Sequence, residues 1–209
     1  MGLTLNTVVL ATRNQHKVKE IQALLSDGSM TFLSLADFPD LPEVVEDGTT
    51  CQENAVKKAM ETAAGTGHWA LADDTGLEVD ALGGRPGVYA ARYAGEGATY
   101  TDNCEKLLEE LQNIPVGQRG ARFLTVMALS DPEGQTQTVE GELQGQITEQ
   151  FYGSQGFGYD PVFYVPNAHK TLAEMTLEEK NELSHRGKAL RLAKDLLTRR
   201  IANTPSVGA

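Results

Sequence analysis

Cysteine is scarce in this chain. Cys51 and Cys104 are the only two in 209 residues, and they show no metal-ligand spacing. That argues against a disulfide framework or a structural zinc site and reads as reduced thiols in a cytosolic protein. Positive charge is also short: 18 Lys and Arg face 29 Asp and Glu, a formal net charge of −11. A phosphate backbone needs a basic face, so nucleic acid is not the expected main partner. A small phosphorylated ligand stays open, because a few lysines and an Mg²⁺ make a local positive pocket. No apolar run approaches a membrane span, and the N-terminus lacks the regions of a signal peptide, so a soluble, cytoplasmic protein without membrane partners is expected. Internal repeats, linkers and low-complexity segments are absent too. What is present is a 40% hydrophobic chain of a length that suits one good-sized domain. That domain is expected over residues 1–202, with 203–209 as a frayed tail.

The periodicity alternates strand and helix from the start, which predicts an α/β fold. Thr7 to Ala11 reads as a buried strand, and Thr12-Arg13-Asn14 as a polar turn. A helix follows with Val18, Ile21, Leu24 and Leu25 on one face. Thr31 to Leu35 reads as a second strand. Thr50-Cys51-Gln52-Glu53 fits a capping box that opens a helix to about Ala64. Short strands at Trp69–Ala72 and Leu77–Val79 are expected to flank an acidic pair, and Asn103 to Leu111 to be helical. Phe123 to Leu129 and Thr136 to Leu143 form a hairpin pattern around Asp131-Pro132-Glu133-Gly134. Pro161 to Val165 reads as a strand and Thr176 to Glu179 as a further capping box. Ser184 is expected to cap a last helix with Leu190, Ala193, Leu197 and Ile201 on one stripe.

Chemistry concentrates in six places. Asp73-Asp74-Thr75-Gly76 is the strongest: hard carboxylate oxygens suit Mg²⁺, which keeps several waters and binds substrate phosphates. One carboxylate could hold metal while another acts as a base; an acid-capped turn is the plainer alternative. The glycine-rich run Gly83-Gly84-Arg85-Pro86-Gly87 suggests a chain bent sharply around a ligand. Thr12-Arg13-Asn14-Gln15-His16-Lys17 lies at a strand-to-helix junction, where free N–H groups and Lys17 suit phosphate. It lacks the glycines of a Walker A loop, and an N-capped turn with a solvated lysine fits equally well.

Asn54 and Lys58 share a helix face, just after an acidic loop with Glu43, Glu46 and Asp47. Glu53 with Lys57, and Lys57 with Glu61, have ion-pair spacing, so a solvated helix competes with a polar pocket. In Gly156-Phe157-Gly158-Tyr159-Asp160 the glycines would let backbone approach a flat ligand, Phe157 could stack on a base, and Asp160 could accept from base or ribose. A turn with a core phenylalanine is the alternative. Lys180, His185 and Arg186 supply donors around the start of the last helix, where His185 could instead be structural.

Six segments taken in order resemble the Ham1/RdgB inosine triphosphate pyrophosphatases, which act on noncanonical purine nucleotides. They are Val9-Leu10-Ala11-Thr12-Arg13-Asn14, Glu53-Asn54-Ala55, Ala72-Asp73-Asp74-Thr75-Gly76-Leu77, Pro86-Gly87-Val88-Tyr89-Ala90-Ala91-Arg92-Tyr93, Gly156-Phe157-Gly158-Tyr159-Asp160-Pro161 and Ser184-His185-Arg186-Gly187. They span nearly the whole chain. The resemblance implies an elongated mixed sheet flanked by helices in two lobes, with a nucleotide cleft between them, and a homodimer. It implies Mg²⁺-dependent hydrolysis of ITP, dITP and XTP to the monophosphate and pyrophosphate, keeping such nucleotides out of DNA and RNA.

By the same resemblance, Glu46 and Asp74 hold Mg²⁺, and Asp74 also accepts the proton. Thr12, Arg13, Asn14, Gln15, His16 and Lys17 bind the triphosphate, with Asn54 and Lys58 supporting the phosphates. Thr75, Phe157, Gly158, Tyr159, Asp160, Lys180, His185 and Arg186 contact substrate. Relatives often carry Gly at Arg13 and Ser at Thr75; backbone or hydroxyl contacts survive both changes. A Maf-like pyrophosphatase acting on other nucleotides, and a nucleotide-binding protein without turnover, are the competing readings. The Phe157 to Asp160 and Ser184 to Arg186 motifs argue against the first, and the full set of acids and lysines against the second.

Overall fold

The computed structural model describes residues 7–25 and 30–203, with side chains described through Arg200 in the last helix. The expected tail from 204 onward and the side chain of Ile201 therefore lie outside the described residues.

Val8, Val9 and Leu10 are fully buried, so strand β1 (Thr7–Leu10) has no solvent face. Such a strand belongs between parallel neighbours. It runs parallel to β2 (Thr31–Ser34) on one side and β3 (Trp69–Val79) on the other. The crossovers are helices α1 (Gln15–Leu25) and α2 (Cys51–Thr66). The short β4 (Pro86–Gly87) lies antiparallel on β3. Helix α3 (Tyr100–Glu110) is followed by β5 (Gly120–Ser130) and β6 (Thr136–Ile147), then β7 (Phe163–Val165), β8 (Lys170–Thr171), α4 (Leu177–Leu183) and α5 (His185–Asn203). The strands form a central mixed sheet in the order β2-β1-β3-β5-β6-β7-β8, with β4 on β3. The β6/β7 and β7/β8 pairs are antiparallel. No helix among the described residues is long and apolar enough to cross a membrane.

The chain divides into two compact units. The first comprises Met1–Asp74, Val126–Glu140 and Lys188–Ala209, the second Thr75–Thr125 and Gly141–Gly187. Each has its own core. In the first, Val18, Ile21 and Leu25 of α1 and Leu190, Ala193 and Leu197 of α5 pack with Val8, Leu71 and Met127. Their i, i+3, i+7 spacing makes one apolar stripe per helix. In the second, Leu77, Leu107, Phe123, Ile147 and Phe163 are buried together, and the Phe123 and Phe163 rings sit 4.5 Å apart.

Three elements differ from expectation. The acidic pair does not separate two strands; β3 runs unbroken from Trp69 to Val79 through Asp73 and Asp74. Helix α3 starts earlier than Asn103, because Thr99 and Asp102 form a capping box ahead of it. Asn203 still belongs to α5.

The glycine-rich run needs no ligand to explain its bend. Gly83 and Gly84 take positive φ (64° and 86°) and turn the chain back, so that Pro86 and Gly87 pair with Glu78 and Leu77. The capping boxes at Thr50/Glu53 and Thr176/Glu179 are formed as expected. Both cysteines are buried and neither forms a disulfide.

Candidate active site

Asp73 and Asp74 are 3% and 6% exposed, in the interior of a strand. Two adjacent carboxylates buried this deeply need counter-charge, because an unpaired buried ion is far too costly. Successive strand residues point to opposite faces, and the two acids indeed take different partners. Asp73 Oδ2 is 3.0 Å from Lys17 Nζ. Asp74 Oδ1 accepts from Lys58 Nζ at 2.9 Å. The same ammonium donates to Glu46 Oε1 at 2.8 Å and to the Asp73 carbonyl at 2.7 Å.

Helix α2 builds this group. Asn54 and Lys58, one turn apart, are both buried and both reach Asp74, Asn54 Nδ2 lying 3.4 Å from Asp74 Oδ2. Asn54 Oδ1 also accepts from Gly48 N at 2.8 Å, which pins the loop that carries Glu46. A Cβ at position 48 would sit 2.6 Å from that oxygen, so glycine is required there. Burial works against the Lys58 charge and is the largest single influence on it. The fields of Asp74, Asp73 and Glu46 together outweigh burial and hold its pKa above the ordinary lysine value. The expected Glu53–Lys57 pair is not formed. Glu53 is taken by its cap, accepting from Thr49 N at 2.7 Å, and Lys57 pairs with Asp47 at 2.7 Å.

At the head of α1, Asn14 Oδ1 accepts from His16 N at 3.0 Å and Lys17 N at 3.4 Å, and Thr12 Oγ1 accepts from Asn14 N at 3.2 Å. The N-capped turn is therefore real, but its lysine is not solvated; it neutralises Asp73. Arg13 is exposed and donates to the carbonyls of Leu35 and Leu41, at 3.3 and 3.1 Å. Gln15 and His16 are exposed in the first turn of α1.

The donor set is compatible with a hard divalent cation. One oxygen of Glu46 and one of Asp74 converge on a single ammonium, so both reach one point in space. Among the described residues, no group of three or more His, Cys, Asp or Glu is arranged to hold a metal. Two carboxylates completed by water and phosphate oxygens are the way Mg²⁺ is commonly held, rather than by an all-protein cage.

The second unit gathers the remaining residues. Asp160 and Lys180 form a buried ion pair at 2.6 Å. Asp160 Oδ2 also accepts from Phe157 N at 2.8 Å, closing the loop on itself. Gly156 has φ +75°, and any side chain there would run into the Asp160 carboxylate. So Gly156 makes room for Asp160, and one oxygen of Asp160 is committed to the loop. Tyr159 is a core residue whose hydroxyl donates to Ala90 O at 2.8 Å.

Phe157 is half-buried, with Lys180 Nζ 4.8 Å and the Arg186 guanidinium carbon 5.3 Å from its ring centre. Arg186 Nη2 donates to Thr75 Oγ1 at 3.1 Å, and Thr75 Oγ1 lies 2.7 Å from Thr125 Oγ1. His185 stacks on Phe123 at 4.3 Å. Ser184 Oγ accepts from Gly187 N at 3.1 Å, capping α5 as expected. Lys180, expected to contact substrate, sits here beside Phe157 and Asp160. Thr125, which no motif in the sequence marks, joins the group through Thr75. Its signal was a lone hydroxyl in the apolar run Phe123-Leu124-Thr125-Val126-Met127.

The arrangement thus offers two kinds of chemistry: a carboxylate–ammonium cluster suited to metal and phosphate, and an aromatic ring edged by cationic donors. The model of the Ham1 family matches residues 8–196. A dITP/XTP pyrophosphatase of Geobacter sulfurreducens is 54% identical over 190 residues, 91% of this chain and 96% of the relative. One from Desulforamulus reducens is 50% identical over 192 residues, 92% and 96% of the two chains. Among solved structures, a HAM1 protein from Coxiella burnetii superposes with a TM-score of 0.84 at 41% identity, covering 92% of this chain and 98% of its own. A nucleoside-triphosphatase / dITP/XTP pyrophosphatase from Mycobacterium abscessus gives 0.73 at 42% identity, covering 90% and 98%. With a family model matched almost end to end and relatives similar over most of their length, the chain belongs to the Ham1 family.

Proposed function

We propose that this protein is a nucleoside triphosphate pyrophosphatase that hydrolyses dITP, ITP and XTP to the monophosphate and pyrophosphate. The observation that carries this is the partly buried cluster of Asp73, Asp74 and Glu46 with Lys17 and Lys58, in a chain whose relatives bear that activity in their names. Glu46 and Asp74 would hold Mg²⁺, which when bound neutralises charge on the triphosphate oxygens. Water attacks the α-phosphorus, and the bridging oxygen leaves with pyrophosphate. Asp74 orients that water and takes its proton. Lys58 fixes the Asp74 carboxylate, and Lys17 and Lys58 together meet the negative charge that develops. Positioning and electrostatics of this kind supply most of the catalysis in phosphoryl transfer. Thr12 to Lys17 and Asn54 support the phosphates.

Residues of the second unit read the base. Phe157 stacks on it, and N–H donors of Arg186 and His185 meet the 6-oxo group. Adenine presents an amino group at that position, leaving the donors unpaired, which a buried site penalises strongly. Thr75 and Lys180 complete these contacts. We further infer a cytoplasmic homodimer that acts on free nucleotides and not on nucleic acid; its acidic charge and the family resemblance support this. The chain to residue 202 works as one catalytic domain. Pyrophosphate release from a panel of dITP, XTP, dATP, dGTP and dCTP with Mg²⁺ tests the assignment. Release from dITP and XTP far above the others supports it, and equal rates or preference for dCTP refute it.

A further inference from the structure

The loop from 150 to 159 has no regular structure, and Gly153, Gly156 and Gly158 in it take positive φ. Glycines leave a chain many conformations, so something must fix where Phe157 stands. Part of the loop is anchored locally: Ser154 N and Gln155 N donate to Ala173 O, at 3.1 and 2.9 Å, and Asp160 holds Phe157 N. The tip is held from elsewhere. On α3, the Tyr100 ring lies 5.8 Å from the Phe157 ring, tilted 46°. Four residues along the same helix, Cys104 Sγ donates to Gly158 O at 3.4 Å. Residues at i and i+4 share a helix face, so one stripe of α3 touches two consecutive residues of the loop tip.

The helix that carries this stripe is itself fixed. Asn103 Nδ2 donates to Ala91 O at 3.1 Å and its Oδ1 accepts from Ala94 N at 2.7 Å, while Leu107 is fully buried. We infer that Tyr100 and Cys104 are positioning residues for the base-reading loop: their face of α3 sets the plane of Phe157 and thereby the affinity for the purine. This rests on the base-stacking role proposed for Phe157. Burial pushes the Cys104 thiol up to about 12, with Asp160 and Glu105 adding to the shift, so the thiol stays a hydrogen-bond donor. Tyr100 is exposed and keeps its ring on Phe157 while contributing little to the core.

Two readouts test this. In hydrogen–deuterium exchange without nucleotide, the amides of 156–159 exchange faster in Tyr100→Ala and in Cys104→Ala, while the rest of the chain is unchanged. Tyr100→Phe and Cys104→Ser, which keep the ring and the donor, restore protection. In steady-state kinetics with dITP, Tyr100→Ala raises KM about fivefold with kcat nearly constant, the size of one aromatic contact, and Tyr100→Phe restores the KM. Unchanged loop exchange in both alanine variants overturns the positioning role, whatever the enzyme's substrate. Faster exchange with an unchanged KM overturns its link to the purine. Absence of dITP turnover in the unaltered protein would instead refute the proposed function, and the exchange result would still decide the positioning role.

Discussion

The acidic cluster of the first unit and the aromatic group of the second handle buried charge in opposite ways. In the first, three carboxylates and two lysines interlock, and Lys58 alone bridges Asp74, Glu46 and the Asp73 carbonyl. In the second, Asp160 pairs with Lys180, and Lys180 and Arg186 both lie over the Phe157 ring. A cluster with surplus carboxylate can accept another cation. A single ion pair beside an aromatic ring that two cations face is suited to hold a flat ligand's shape. That contrast is the physical basis for assigning phosphate and metal chemistry to one group and base reading to the other.

The largest expected effect is on chemistry. Asp74→Asn should lower dITP turnover by about a thousandfold, the middle of the range for a lost general base, in a protein that still folds. Near-normal turnover would remove Asp74 from the mechanism.

The next prediction bears on the contrast itself. Lys58→Met and Lys180→Met each strip a buried carboxylate of its partner, a change that typically costs about 3–5 kcal/mol. Denaturant unfolding should show comparable losses for both. Added Mg²⁺ should restore much of the Lys58→Met loss, because one oxygen of Glu46 and one of Asp74 still converge where the ammonium stood, and little of the Lys180→Met loss. Equal rescue, or none in either, would break the contrast.

A smaller effect appears with pH. The Lys58 pKa is raised above 10.5 on folding. Its contribution to stability is therefore fully present below that ordinary value and is lost only as pH rises through the raised one. The stability gap between the unaltered protein and Lys58→Met should hold steady from neutral pH to about 10 and shrink above it. A gap that closes below pH 9 would contradict this.

The two regions were not equally legible in the sequence. Asn54 and Lys58 are one helical turn apart, and the Thr50/Glu53 box marks where that helix begins, so the spacing alone put both on one face. The acidic pair was legible as a site but not as a strand interior. Asp-Asp-Thr-Gly has turn chemistry, and only burial against paired lysines lets β3 run through it. The second region depends on contacts between residues far apart in the chain. Arg186 with Thr75, Thr75 with Thr125, and Tyr100 with Phe157 come together only after the sheet and α3 are in place. Motif order pointed to the loop, but its glycines looked like room for a ligand, whereas Gly156 makes room for Asp160. Local pattern cannot distinguish those two uses of a glycine.

We propose that phosphate chemistry and base reading reside in separate groups of residues. Comparing kcat/KM for dITP and dATP in Asp74→Asn and Arg186→Ala tests it most directly. Asp74→Asn should depress both substrates alike and leave their ratio intact. Arg186→Ala should depress dITP alone, by about 10- to 150-fold for a lost charged hydrogen bond, and collapse the ratio. A ratio that moves with Asp74 and stands still with Arg186 would contradict it.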